Sequence, residues 1–409
     1  MSVALGITRP PLIRSVPVNH PEELIARLPQ APPYAWVQRG EGLVGWGEAF
    51  RVAVPPGADR FEWARRWLAT TFGEARIDDD VHVPGSGPVA FGSFTFDPAA
   101  TGSVLVVPRV VIGRREGRSW MTTVGDPPIE LMTPARSPGR IVYGDGSLTA
   151  PEWQHAVSRA VGEIRSGRLE KVVLARDLVA TAERDIDVRV LLDRLARAYP
   201  DCYTFSCAGL VGATPELLVR HTGEEIESLV LAGTTARGAG PADDEARGAA
   251  LFASAKDRQE HVCAVASVRE ALAPLCSALE VPEEPELLVL PNVQHLASRV
   301  RGRLADGASV LDVVAAMHPT AAVGGTPTAV ALEVIRELEG MNRGGYAGPV
   351  GWIDARGDGE WGIALRCGYV EGRRARLFAG CGIMGGSDPA SELAEAQAKF
   401  RVMRYALEG

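Results

Sequence analysis

Apolar residues in the first 140 positions fall in short runs, each cut off by Gly or Pro. The runs Tyr34–Gln38, Gly42–Arg51, Val89–Phe96, Val104–Gly113 and Trp120–Val124 predict strands. One stretch changes period: Phe61, Ala64, Trp67 and Leu68 share a face and predict a helix over Arg60–Phe72. Between Asp126 and Ser147 the pattern lapses into four prolines and three glycines, a linker-like stretch. Nothing before it forms a complete core. The expectation is one large domain over 1–409, with a strand-rich part at 1–140 and the chemistry within 150–405.

The second part is more regular. Thr149 with Glu152 forms a capping-box signature for a helix to about Ser166, with Trp153, Val157, Val161 and Ile164 on one face. A strand follows at Lys171–Ala180, then a helix capped by Asp187 and ending before Pro200. Strands are predicted at Cys202–Ala208, Glu216–His221 and Glu225–Ala232, and helices at Pro241–Ser254 and Lys256–Leu279. Then come strands at Leu287–Leu290 and Val293–Arg303, and helices at Val310–Met317 and Pro327–Glu339, the latter opening on a favoured proline. Three strands, Val350–Ile353, Glu360–Leu365 and Gly368–Phe378, lead to a glycine-rich loop at Gly380–Gly386 and a last helix after Pro389.

Composition narrows the function classes. A chain of 409 residues, 46% apolar, can bury a large core. Its net charge of −8 and lack of a basic run argue against a nucleic-acid partner. No apolar stretch approaches the ~20 residues of a membrane span. Pro10 and Pro11 interrupt the apolar stretch that a signal peptide needs. The six cysteines show no C-x-x-C spacing and read as reduced thiols, so a cytoplasmic location is expected.

Gly380-Cys381-Gly382-Ile383-Met384-Gly385 fits the dinucleotide pattern G-x-G-x-x-G. The helix after it opens on Asp388, Glu392 and Glu395, anions that would compete with a pyrophosphate at the same N-terminus. Glu392, Glu395 and Lys399 share one helical face. Asp257 and Glu260 repeat the i,i+3 acidic spacing at the start of another helix. Either pair alone fits the helix macrodipole. Both together suit a hard divalent cation, Mg2+.

Lys171 heads an apolar strand and becomes a base only where burial or nearby charge keeps it neutral; a strand-end lysine reaching to water has the same pattern. Glu216 heads another apolar run, where burial would make it a general acid; a solvent-facing edge charge fits equally. Arg366 suits a carboxylate ligand or a structural ion pair. His318 ends a helix before a glycine turn and fits a cleft or simple packing. The small residues around Gly233 and Thr234 end a strand with open backbone groups.

Taken in order, this set resembles the chorismate-utilising enzymes, the family of anthranilate, aminodeoxychorismate, salicylate and isochorismate synthases. The resemblance rests on Lys171 in EKVVLAR, Glu216 in ATPELL, LAGTTARG, KDRQEH, HPTAAVGG, Tyr346-Ala347-Gly348, Arg366 in ALRCG and AGCGIMGGSDPASELAEAQAK. It covers about residues 150–405. HPTAAVGGTP is similar to the isochorismate synthase version, without the lysine found in ammonia-using members. Thr235-Ala236 and Ala396 depart from the family's usual residues.

The resemblance implies an α/β (α+β), anthranilate synthase component I-like fold of two packed β-sheets flanked by helices. It implies Lys171 as general base and Glu216 as general acid. It implies Mg2+ held by Glu260 and Glu395, with Glu392 and Asp257 on its waters. Arg366 and the Gly380–Gly382 backbone would take the enolpyruvyl carboxylate. Gly233, Thr234, His318 and Tyr346 would line the pocket, and Lys399 would balance the acidic cluster. The expected partner is chorismate, with no nucleic acid, membrane or glutaminase subunit, in a monomer whose product feeds menaquinone synthesis, with catechol siderophore synthesis as the other route. Alternatives are a salicylate synthase or a catalytically silent chorismate-binding protein.

Overall fold

The computed structural model describes residues 10–19, 23–127, 130, 132–289 and 293–409. The first nine residues, parts of Asp126–Ser147 and the end of the expected Leu287–Leu290 strand lie outside them. Eight α-helices are present among the described residues: α1 (Arg60–Gly73), α2 (Ala150–Arg165), α3 (Val188–Ala198), α4 (Pro241–Ala253), α5 (Ala255–Leu272), α6 (Val310–Met317), α7 (Thr328–Leu338) and α8 (Pro389–Glu408). None is long and apolar enough to cross a membrane.

Strands form two sheets. A 13-stranded sheet runs from Ile141–Asp145 through Lys171–Ala182, Arg374–Ile383, Cys367–Glu371, Leu210–Thr214 and Tyr203–Cys207, then into Tyr34–Gln38 and the other N-terminal strands. A 10-stranded sheet is centred on Val293–Leu304, Glu225–Ala236, Leu217–Thr222, Gly359–Ile363 and Pro349–Asp354, and continues into Val89–Ser93. The N-terminal strands thus extend both sheets. The sheets pack on one another through aromatics: the Tyr34 and Phe91 rings are 5.8 Å apart. Across the same interface, Trp36 Nε1 donates to Glu360 Oε2 at 2.9 Å. Helices α2, α3, α7 and α8 cover the first sheet; α4, α5 and α6 cover the second, with α1 on α6. The architecture is α+β, two sheets flanked by helices, as the sequence implies.

The chain passes between the sheets at two neighbouring crossovers. Leu210–Thr214 belongs to the first sheet and Leu217–Thr222 to the second; Gly359–Ile363 belongs to the second and Cys367–Glu371 to the first. Thr214 Oγ1 donates to the Ile363 carbonyl at 2.6 Å, and the Ala213 N–H to the Arg366 carbonyl at 3.2 Å. Thr214 and Ala213 thereby clamp the crossovers side by side.

Several expected boundaries move. Helix α5 stops at Leu272 rather than Leu279, because Pro274 has no N–H to continue it, and Cys276–Glu280 becomes a strand. The strand expected from Glu216 starts at Leu217, and the one expected to reach Leu365 ends at Ile363; Glu216 and Arg366 sit in the crossovers instead. Gly368–Phe378 is two strands joined by a tight turn at Gly372, where φ is +53°. The second of them runs on to Ile383, so Gly380 and Gly382 are strand positions and the glycine loop shortens to the turn after it. The proline-rich stretch after Asp126 contains an edge strand, Ile141–Asp145, paired with Lys171–Ala182. Gly42–Arg51 and Val104–Gly113 each divide into two strands, the second split at Pro108. Helix α7 starts one residue late, with Pro327 at its N-cap.

Beneath the Lys171–Ala182 strand lies a dry ion pair. Arg343 Nη2 is 2.5 Å from Glu339 Oε1, and both side chains are almost wholly buried. Glu339 Oε1 also accepts the Ala175 N–H at 2.7 Å. Arg343 donates to the Val173 and Val323 carbonyls at 2.7 and 3.0 Å, and its guanidinium lies 4.1 Å from the Phe96 ring centre. Removing one partner leaves a buried charge uncompensated, which costs about 3–5 kcal/mol. Arg343→Met is therefore expected to lose stability on that scale in urea denaturation; a loss near zero contradicts the role given to this pair.

Candidate active site

Lys171 begins its strand opposite Thr326 of the short Gly325–Thr326 strand. Two residues along, Val173 pairs with Gly382, and Ala175 pairs with Gly380. A Cβ added at Gly382 would lie 3.1 Å from Lys171 Cε. The missing side chain is the lane that the lysine occupies. Lys171 is mostly buried, and its Nζ meets Glu260 Oε1 of α5 at 2.8 Å. A lysine of the first sheet and a glutamate from the layer on the second thus meet between them.

The crossovers supply the next pair. Glu216 is anchored by its backbone: its N–H donates to Thr214 Oγ1 at 3.2 Å and its carbonyl accepts from the Ile363 N–H at 3.1 Å. Burial pushes the Glu216 carboxyl up to about 7, against the opposing pull of the Arg366 and Lys171 charges. Arg366 has a left-handed backbone, φ +49°, which a non-glycine residue adopts only when its surroundings hold it there. Among the described residues its guanidinium has neither a hydrogen-bond acceptor nor a carboxylate in salt-bridge range. A partly buried arginine left open in this way suits an anionic ligand.

Glycine shapes the opposite wall. Gly233, φ +77°, makes a bulge in the Glu225–Ala236 strand; a Cβ there would stand 3.2 Å from Asp257 Cβ. The next residue, Thr234, shares a 2.8 Å hydrogen bond with His295 Nδ1. The ring of Tyr346 is buried and stacked on Phe378 at 5.1 Å, 11° from parallel. A Cβ on Gly380 would come 2.9 Å from the Tyr346 hydroxyl.

The acidic helices arrive separately. In the first turns of α8, Glu392, Glu395 and Cys381 Sγ lie within 4.8 Å of one another. Burial pushes the Cys381 thiol up to about 12, and it donates to the Glu392 carbonyl at 3.3 Å, so the two carboxylates are the hard donors there. Lys399 ties that turn down: its Nζ is 2.6 Å from Glu395 Oε1 and 2.7 Å from the Gly380 carbonyl. Ser254 caps α5, its hydroxyl accepting from the Asp257 N–H and donating to the Asp257 carboxylate, and Glu260 accepts from Lys171. Among the described residues, the one group of three or more such ligand atoms brought together includes neither Asp257 nor Glu260. The Glu392 and Glu395 carboxylates are donors of the kind a hard divalent cation takes.

His318 stands apart. Its Nε2 is 3.2 Å from the Phe96 carbonyl, its ring is edge-on to Phe96, and burial beside Arg60 pushes it down to about 3. It fastens the loop after α6 to the N-terminal strands. His295, by contrast, bonds to the Thr234 hydroxyl and was missed. Burial, with the Arg366 and Lys399 charges nearby, pushes it down to about 4, and its buried Nε2 has no partner. The available signal was a histidine inside the expected strand Val293–Arg303.

Known proteins share this fold. The sequence profile of the family described as "Chorismate binding enzyme" matches residues 132–408. The chain is 35% identical over 380 residues to isochorismate synthase MenF of Bacillus subtilis, covering 85% of this chain and 80% of the relative. It is 39% identical over 361 residues to a putative isochorismate synthase MenF of Mycobacterium tuberculosis, covering 84% and 92%. The solved structure of MenF, the menaquinone-specific isochorismate synthase of Escherichia coli, superposes with a TM-score of 0.81 at 24% identity, over 98% of this chain and 96% of that one. Lys171, Glu216 and Arg366 all lie within the matched residues, and the chain belongs to the chorismate binding enzyme family.

Proposed function

We propose that the protein is an isochorismate synthase, a metal-dependent isomerase that adds water at C2 of chorismate and expels the C4 hydroxyl with an allylic shift. The observation that carries this reading is the Glu216 carboxyl, raised to about 7 by burial, next to Lys171 and an Arg366 without a protein partner among the described residues. An acid still protonated near neutrality is what a departing hydroxyl needs. The two relatives named as isochorismate synthases, at 35% and 39% identity, support this reaction over others in the family.

In this reading Lys171 Nζ takes a proton from the attacking water, and Glu216 gives its proton to the C4 oxygen. One water enters and one leaves, so substrate and product are isomers. Nζ is paired with Glu260 at 2.8 Å, so it accepts the water's proton only once that contact opens and the amine has given up a proton of its own, to Glu260 or to solvent, freeing its lone pair. Arg366 and the Gly380–Gly382 backbone bind the enolpyruvyl carboxylate. Gly233, Thr234, Tyr346 and His295 wall the ring, and His318 holds the loop behind it. Glu260 and Glu395 would be the protein ligands of Mg2+, with Glu392 and Asp257 on its waters and Lys399 balancing their charge. When bound, the cation would neutralise the ring carboxylate. The six free cysteines suit a reducing cytoplasm. The enzyme acts there as a monomer without a glutaminase subunit, and its product feeds menaquinone synthesis, in line with the E. coli neighbour.

Lys171→Ala and Glu216→Gln are each expected to lower kcat by about 10²–10⁴-fold. Their circular dichroism and their Mg2+ binding by calorimetry should stay intact. Near-normal isochorismate formation by either variant overturns the assignment.

Glu216 also predicts a pH signature. A carboxyl whose folded value is raised stabilises the fold while neutral, so stability is full below the ordinary 4.5 and declines as pH climbs towards about 7. Glu216→Gln removes that decline. In urea denaturation the variant should gain on the wild type between about pH 5 and about pH 8; a constant difference contradicts the raised carboxyl.

A further inference from the structure

On the far side of α8 from the catalytic cleft is a groove of about 600 Å³. It lies between α8, the start of α2 and the strands Ile141–Asp145 and Lys171–Ala182. Its walls carry Arg176, Arg401, Arg404 and Gln397 above a floor that includes Leu178 and Ala394. At about 100° per residue, Ala394, Gln397, Arg401 and Arg404 fall on the opposite side of α8 from Glu392, Glu395 and Lys399. None of Lys171, Glu216 or Arg366 lines it.

Three features set this groove apart from an ordinary surface dent. First, Arg176 is 4% exposed, and its buried Nε has no hydrogen-bond partner, although Nη2 reaches Asp145 Oδ1 at 3.0 Å. A buried donor left unmatched costs about 1–3 kcal/mol, more on a charged group, so a native structure keeps one for a reason. Second, the lining holds three arginines against the one carboxylate of Asp145, in a chain of net charge −8. Arg401 is exposed with no ion pair among the described residues. Arg404 lies over the Tyr143 ring at 4.3 Å and only loosely pairs with Glu408, at 3.8 Å. Third, small residues at Ala150 and Ala394 keep the space open where α2 and α8 approach. Its volume falls in the range of about 300–1,000 Å³ usual for small-molecule sites.

We propose that this groove binds a small aromatic carboxylate, its ring on the apolar floor and its carboxylate between the arginines. Guanidinium forks match a carboxylate through two parallel hydrogen bonds, and the apolar floor selects a ring over a bare ion. The site is separate from the catalytic cleft, and the test reads binding alone, so its failure is distinct from failure of the catalytic assignment.

The test is calorimetric titration of the full chain with benzoate and, in a second arm, with inorganic phosphate. Benzoate is expected to bind at one site at least tenfold more tightly than phosphate. The Arg401→Ala/Arg404→Ala double variant should weaken benzoate at least tenfold, and so should Ala394→Trp, which fills the groove without removing charge. Arg366→Ala should leave benzoate binding unchanged. Absence of benzoate binding to the wild type, unaltered affinity in both groove variants, or loss in Arg366→Ala overturns the proposal. Phosphate binding as tight as benzoate overturns the aromatic class.

Discussion

The ion pair between Arg343 and Glu339, closed off from water, is the constraint on which the active-site geometry depends. Charges this deeply buried survive only when fully paired. Here pairing demands four pieces of chain at once: the end of α7, the Val173–Ala175 segment, the Val323 carbonyl and the Phe96 ring. The strand that starts at Lys171 is thereby fixed in depth, and so is the loop after His318 that pairs with its beginning. The N-terminal strands join the same unit through Phe96, which accepts from Arg343 on its ring face and from His318 at its carbonyl. Their contribution to the site is positional, since none of the cleft side chains comes from them.

The crossovers do for Glu216 and Arg366 what the ion pair does for Lys171. Leaving one sheet for the other frees these two residues from strand alternation, so both can aim into the gap. Their closeness explains the electrostatics: burial raises the Glu216 carboxyl, while the neighbouring positive charges keep the rise moderate. The outcome is a carboxyl that titrates near neutrality rather than one locked in a single state. Burial, with the Arg366 and Lys399 charges, keeps His295 neutral beside Thr234.

Much of this was readable from residues in order. Capping signals found α2 and α3 because a helix start is decided within four residues, and the structure has the Thr149–Glu152 box and the Asp187 cap. The two acidic pairs were visible for the same reason. The misses have one cause: strands are set by partners far away. Gly380 and Gly382 read as loop because glycine disfavours strands, yet pairing with Ala175 and Val173 keeps them extended. Glu216 and Arg366 read as strand ends because nothing local marks a change of sheet. His295 drew no notice in the sequence; only its bond to Thr234, 61 positions earlier, reveals which side it faces. Arg343 and Glu339 went unnoticed because Glu339 caps α7 and Arg343 lies in the turn beyond it, where no helical or strand periodicity marks burial.

The central claim, that water adds at C2 as the C4 hydroxyl leaves, is tested most directly by the atoms of the product. The protein is incubated with chorismate and Mg2+ in oxygen-18 water, without ammonia, and the products are separated and weighed by mass spectrometry. The account predicts isochorismate carrying one oxygen-18 atom on the ring, with no release of pyruvate. Unlabelled isochorismate, salicylate with pyruvate, or unchanged chorismate would contradict it.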